Sequence, residues 1–208
     1  MRALPLLVFD TNILMDVLLG RDGASAALLV DLAEKKLVEL VIPEYVLFEF
    51  RGTALRYIRD EVERVKSVRR AVNDWGRCQE LDTPAQDMKN AAADLERKLE
   101  GIRGQVDDVI ERVKSAARVP PHTHELHFQG DLRYLAGRPP DRPVDGLKDC
   151  RIYEAVLAIA RDDQPTKRPK HLVTRDSDFD MKELVDELAG LGFTISKEPG
   201  RLYGAYRG

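Results

Sequence analysis

The 208-residue sequence predicts an α/β fold: a parallel sheet of four to five strands flanked by helices. Three observations carry the prediction. Short, unbroken apolar runs alternate with helical patterns at both ends of the chain. Acidic residues follow several of those runs directly. Between the two ends lie two long amphipathic stripes that no strand interrupts, which predicts an inserted antiparallel helical hairpin.

Residues 5–9 carry Leu6-Leu7-Val8-Phe9, an apolar run that stops at a polar turn and reads as a buried strand. The segment ILMDVLLG then reads as a short helix that Gly20 ends. Residues 24–35 follow as a second helix and residues 37–42 as a second strand. Pro43 cannot donate to a ladder but suits a helix start, and Val46, Leu47 and Phe50 supply that helix's buried face. Leu55, Ile58, Val62, Val65, Val68, Val72 and Trp75 recur at steps of three and four. After a break around Gly76 to Pro84, Leu95, Leu99, Ile102, Val106, Val109 and Val113 repeat the pattern. Gly101 and Gly104 are weak points in this second arm.

The expected organisation is one domain over residues 1–208, with the hairpin at 53–118 and a long Pro/His/Gly-rich loop at 119–147. Alternation then resumes, with a helix at 149–161, a strand at 170–175, a helix at 180–190 and a last strand at 193–196. The Gly-rich tail PGRLYGAYRG has no assignable element. Right-handed crossovers place the first strand centrally and the C-terminal ends of all strands along one edge.

A net charge of −3 does not advertise nucleic acid, so any such contact must come from local patches. Cys78 and Cys150 lie far apart in no ligand spacing, which fits a reducing cytoplasm. The N-terminal apolar run is too short for the full signal-peptide pattern, and no stretch approaches a membrane span. The expected location is cytoplasmic.

Asp10 and Asn12 end the first strand, Asp176 and Asp178 follow the run Leu172-Val173-Thr174, and Asp149 opens a helix with a core face. Glu49 sits in an apolar helical stretch between Phe48 and Phe50, neighbours that place it deep. Each acid also has an ordinary reading as a helix cap or turn residue. Together they stand at matching topological positions, where a parallel sheet opens on one crevice. Carboxylates crowded there repel unless a divalent cation neutralises them, so the residues point to a magnesium or manganese site acting on phosphate.

The pieces VFDTNILMD, IPEYVLFEF, KDCRIYEAVLAIA and LVTRDSDF make the chain resemble the PIN-domain nucleases, over about residues 5–52 and 146–196. The resemblance implies four acids that bind one or two divalent metals and cut RNA: Asp10, Glu49, Asp149 and Asp176. Asn12 and Asp178 match supporting positions. It further implies magnesium or manganese as cofactor and RNA, single-stranded or structured, as substrate. The hydrolysis leaves a 5′-phosphate and a 3′-hydroxyl. Some relatives are toxins held by an antitoxin and many dimerise, so an antitoxin, another protein or a second copy is an expected class of partner.

Arg51, Arg151 and Arg175 are candidates for RNA contact, the last two because they adjoin site acids. Arg56, Arg59, Arg64, Lys66, Arg69 and Arg70 continue from Arg51 up the first hairpin arm, where they read equally as a solvated face paired with Asp60, Glu61 and Glu63. His122, His124 and His127 have a spacing that suits a transition metal or exposed loop positions. Two other functions compete. A haloacid-dehalogenase-like phosphatase also begins with a strand ending in Asp, but wants a second Asp where Asn12 stands. A non-catalytic binding module would use the hairpin as its partner surface.

Overall fold

The central strand, β1 (Leu6–Phe9), is buried along its whole length, as a strand with neighbours on both edges and cover on both faces must be. A computed structural model describes residues 3–75, 82–140, 146–163 and 167–207. In it β1 pairs in parallel with β2 (Glu39–Val41) on one side and β4 (Lys170–Val173) on the other. β3 (Ala117–Arg118) and β5 (Phe193–Ser196) complete a five-stranded, all-parallel sheet among the described residues, in the order β3-β2-β1-β4-β5. The expected fold class is therefore the observed one, with β1 at the centre. β3 escaped the sequence reading because two residues carry no alternation; it is fixed by pairing Leu40 with Ala117 and Val41 with Arg118.

The chain divides into two compact units. One is drawn from the two ends, up to Phe50 and from Ile110, and the other is Arg51–Val109. In the first unit α1 (Thr11–Leu19) ends where Gly20 takes a left-handed conformation, φ 61°, and donates its N–H to Asp16 O. α2 (Ser25–Glu34) follows, and α3 (Glu44–Trp75) starts directly after Pro43. The tail left unassigned from sequence is α8 (Pro199–Tyr206), with proline in its first turn.

The second unit holds most of α3 and of α4 (Asp82–Ala116). Arg51 meets Asp107 at 3.0 Å and Arg69 meets Glu96 at 3.2 Å, so the two helices run antiparallel there. Ile58, Val62, Val65, Val72, Leu99 and Val106 are buried, whereas Leu55, Val68, Trp75 and Leu95 are substantially exposed. The apolar stripe read from spacing is thus wider than the face that is covered. Residues 76–81, where the expected break between the arms and Cys78 fall, lie outside the described residues.

The stretch expected as one long loop, 119–147, is not a loop throughout: His124–Leu135 form α5. The helix hid because prolines stand before it, at 120 and 121, and after it, at 139 and 140, but not within it. Thr123 caps it, with Oγ1 accepting from Leu126 N at 3.2 Å. α5 packs closely on α6 (Gly146–Asp162) at Gly130, where an added Cβ would lie 2.6 Å from Arg151 Cγ and 2.7 Å from its Cα. Arg133, 4% exposed, locks the pair. It donates to Glu154 at 2.6 Å and Pro139 O at 2.8 Å, reaches Glu187 of α7 (Lys182–Gly190) at 3.1 Å, and lies over the Tyr153 ring at 4.6 Å.

This packing fixes α6, the helix that carries Asp149. Replacing Gly130 by Ala forces backbone or Arg151 to move and is expected to lower stability by about 1–3 kcal/mol, read from the urea midpoint. An unchanged midpoint would contradict the close crossing.

Candidate functional site

β1 and β4 are in register, Phe9 opposite Val173, so the next residues, Asp10 and Thr174, emerge side by side at the C-terminal edge. The connections from these two strands leave toward opposite sides of the sheet, which opens a crevice at their ends. Asp10 is 4% exposed. Its Oδ1 accepts from Thr11 N at 2.6 Å, and its Oδ2 accepts from Thr174 Oγ1 at 2.6 Å and Asn12 Nδ2 at 2.7 Å. The Thr174 hydroxyl is fully used, since it also accepts from Asn12 Nδ2 at 3.1 Å and Asp176 N at 3.0 Å. Asn12 Oδ1 in turn accepts from Arg175 N at 2.9 Å.

Glu49 comes from the second turn of α3, and its Oε2 accepts from Thr11 Oγ1 at 2.5 Å. Its position therefore depends on α1. The expectation that both flanking phenylalanines bury it is corrected: Phe50 is buried, but Phe48 is 64% exposed.

Asp176 caps a 3-10 turn, Ser177–Asp180, its Oδ1 accepting from Asp178 N at 2.9 Å. Asp149 on α6, Asp176 and Asp178 each place one carboxylate oxygen within 4.8 Å of the others. Asp10 and Glu49 stand outside this trio, but both Glu49 and Asp176 act electrostatically on Asp10. Asp176 thus belongs to both halves of the acidic cluster. Lys197, just beyond β5, donates to Asp176 O and pairs with Asp180 at 2.9 Å.

The donor set fits a hard divalent cation. It offers only carboxylate oxygens, the ligands such ions prefer, and the trio would have to draw together around a bound ion, since neighbouring ligands on magnesium lie about 3 Å apart. Asp10 has three donors on about four acceptor positions, which leaves room for one more partner.

The three arginines considered for RNA contact all carry acidic partners. Arg175 pairs with Asp16 of α1, a buried acid. Arg151 pairs with Asp131 at 2.8 Å and lies near the Tyr45 ring, and Arg51 belongs to the second unit with Asp107. His122 Nε2 lies 3.3 Å from His127 Nδ1, while His124 opens α5. Cys150 is buried, its thiol donating to Pro140 O at 3.3 Å. Thr174, Thr11, Asp16 and Lys197 were not singled out from sequence. Thr174 and Asp16 did leave a signal: a hydroxyl directly after an apolar strand, and an acid inside the apolar run ILMDVLL.

A family model described as a PIN domain matches residues 7–179, and the chain belongs to that family, whose members are generally nucleases. A search of curated proteins finds no match. The phosphatase alternative gives way to this membership, and Asn12 is engaged as a donor to Asp10 where that reading needs a second acid. Among the described residues no helix is long and apolar enough to cross a membrane.

Burial, the largest cause, pushes the Asp10 carboxyl up from 3.8 to about 6; Glu49 and Asp176 add to the rise, and the hydrogen bonds from Thr174 and Thr11 oppose it. The folded state therefore holds this proton more tightly than the unfolded chain. Stability from the group is fully present below the unfolded value and is lost as pH rises through about 6. The loss amounts to about 3 kcal/mol at most. In the presence of a chelator, Asp10→Asn is expected to gain stability relative to the wild type between about pH 4 and about pH 7, by up to that amount. A constant difference in unfolding free energy across that range would contradict it.

Proposed function

We propose that the protein is an endoribonuclease that depends on a divalent metal, magnesium or manganese, and hydrolyses RNA phosphodiesters at the acidic cluster. The observation that carries this reading is the convergence of Asp149, Asp176 and Asp178 within 4.8 Å beside a desolvated Asp10, in a chain of a nuclease family. Asp10, Glu49, Asp149 and Asp176 are the metal-holding and catalytic acids in this proposal, and Asp178 stands with them. When bound, the cation supplies positive charge against a phosphate oxygen and acidifies water.

The chain's own groups do the rest. Thr174, Asn12 and Thr11 hold Asp10 in one orientation, and Thr11 holds Glu49. Asp176 is fixed through its backbone N–H on Thr174. Arg175 sits one residue from Asp176 and, held in place by its pair with Asp16, is the cation this reading gives to the substrate phosphate. Water adds to phosphorus, the bond to the 3′ oxygen breaks, and that oxygen takes up a proton. The products are a 5′-phosphate and a 3′-hydroxyl. A toxin restrained by an antitoxin, a processing enzyme and a homodimer are all compatible with this chemistry.

The test is cleavage of labelled single-stranded RNA with manganese. The wild type is expected to cut, a chelator to abolish cutting, and Asp10→Asn and Asp176→Asn each to lower the rate by about 100-fold or more, a loss of roughly 3 kcal/mol of transition-state stabilisation. Cleavage that survives both substitutions, or no cleavage of any RNA tried, would sink the proposal.

A further inference from the structure

We propose that the α3 side of the Arg51–Val109 unit is a binding track for the phosphodiester backbone of single-stranded RNA. It rests on the ribonuclease reading for the identity of the polymer, and on the hairpin's own charges for everything else. Residues 51–75 carry seven Lys/Arg against four Asp/Glu, whereas residues 82–109 carry four against seven. Over these residues the hairpin is balanced, yet one arm has an excess of three positive charges and the other an excess of three negative ones.

On α3 the positions Arg56, Arg59, Glu63, Lys66, Arg70 and Asn73 follow one another at steps of three and four, so they share one helix face. They span about 25 Å at 1.5 Å per residue, the length of about seven stacked nucleotides at about 3.4 Å each. The face is concave in two places. A groove of about 490 Å³ is lined by Arg56, Arg59, Lys66 and Arg103 around Leu55 and Ile58, with four cations against the two carboxylates Glu63 and Glu100. A recess of about 250 Å³ follows, lined by Lys66, Arg69, Arg70 and Asn73.

The cations are available. Arg56 and Arg70 are exposed and have no carboxylate partner among the described residues. Arg59 and Lys66 pair only with their exposed neighbours Asp60, at 3.2 Å, and Glu63, at 3.0 Å. Such exposed pairs contribute little and exchange readily for phosphate. The part-exposed Leu55 between the basic rims favours unpaired nucleotides, whose ribose and base faces can lie on it. A duplex presents only its phosphates to such a groove.

Binding of a labelled single-stranded RNA of about twelve nucleotides, followed by fluorescence anisotropy in chelator, separates this from catalysis. The Arg56→Glu, Arg70→Glu double variant is expected to bind at least about ten-fold more weakly. Its slope of log affinity against log salt should be shallower by about 1.4, for two lost contacts at about 0.7 each. Arg97→Glu with Lys98→Glu makes the same change of charge on α4 and should bind within about two-fold of wild type. If the first variant melts early, Arg56→Gln with Arg70→Gln should still show about the same loss of slope. Equal affinity and slope in the α3 variants, an equal loss in the α4 variant, or no RNA binding by the wild type would overturn the track. RNA cleavage with no effect of these α3 changes on binding sinks the track alone. RNA binding that depends on them, without any cleavage under manganese, sinks the nuclease reading and leaves the track standing.

Discussion

A carboxylate that leaves water at the end of a buried strand must be held by donors, and Asp10 is held by three. Most of the site depends on that arrangement. Thr174 can reach Asp10 only because β1 and β4 are paired in register, and the same hydroxyl anchors Asp176. Thr11, whose N–H serves Asp10, holds Glu49 through its side chain. Three acids, from three distant parts of the sequence, thus hang on two threonines and one asparagine. The donors do not fully offset the burial, since Asp10 still keeps its proton up to about pH 6. A site that raises the cost of its own charge in this way is suited to a cation.

The topology explains why the two ends of the chain build the cluster while the middle stays out of it. β1 is central, and the connections that leave β1, toward β2, and β4, toward β5, diverge. The segment between β2 and β4 contains both the helical unit and the α5–α6 pair. α6 must be positioned accurately because it carries Asp149, and the buried Arg133 with Glu154 and Glu187 does this on one side of the helix. Breaking such a buried pair from one partner alone leaves an uncompensated charge, which makes α6 intolerant of change at that point.

The fold class was legible because buried parallel strands appear as unbroken apolar runs, as in Leu6–Phe9, and because Gly20 and Pro43 mark helix boundaries by their backbone chemistry. β3 was not legible, since its pairing exists only once Leu40 and Val41 offer an edge. α5 was obscured by prolines that flank it. At the site, residue type and position pointed to the acids themselves, whereas the grouping of Asp178 with Asp149 and Asp176 required the turn at Ser177–Asp180. Thr174 was missed for a related reason: a threonine ending an apolar run looks like another β-former until its register partner is known. The depth of Glu49 was inferred from its neighbours along the chain, but in a helix consecutive residues point in different directions, and Phe48 faces solvent.

The central claim is that these carboxylates form one divalent-ion site. Direct binding of manganese to the wild type, measured by calorimetry without RNA, tests it most simply, alongside Asp149→Asn and Asp178→Asn. Saturable binding in the wild type that weakens at least about ten-fold in each variant, a loss of about 1.4 kcal/mol, is the predicted result. Binding that is absent from the wild type, or indifferent to both substitutions, would contradict the account.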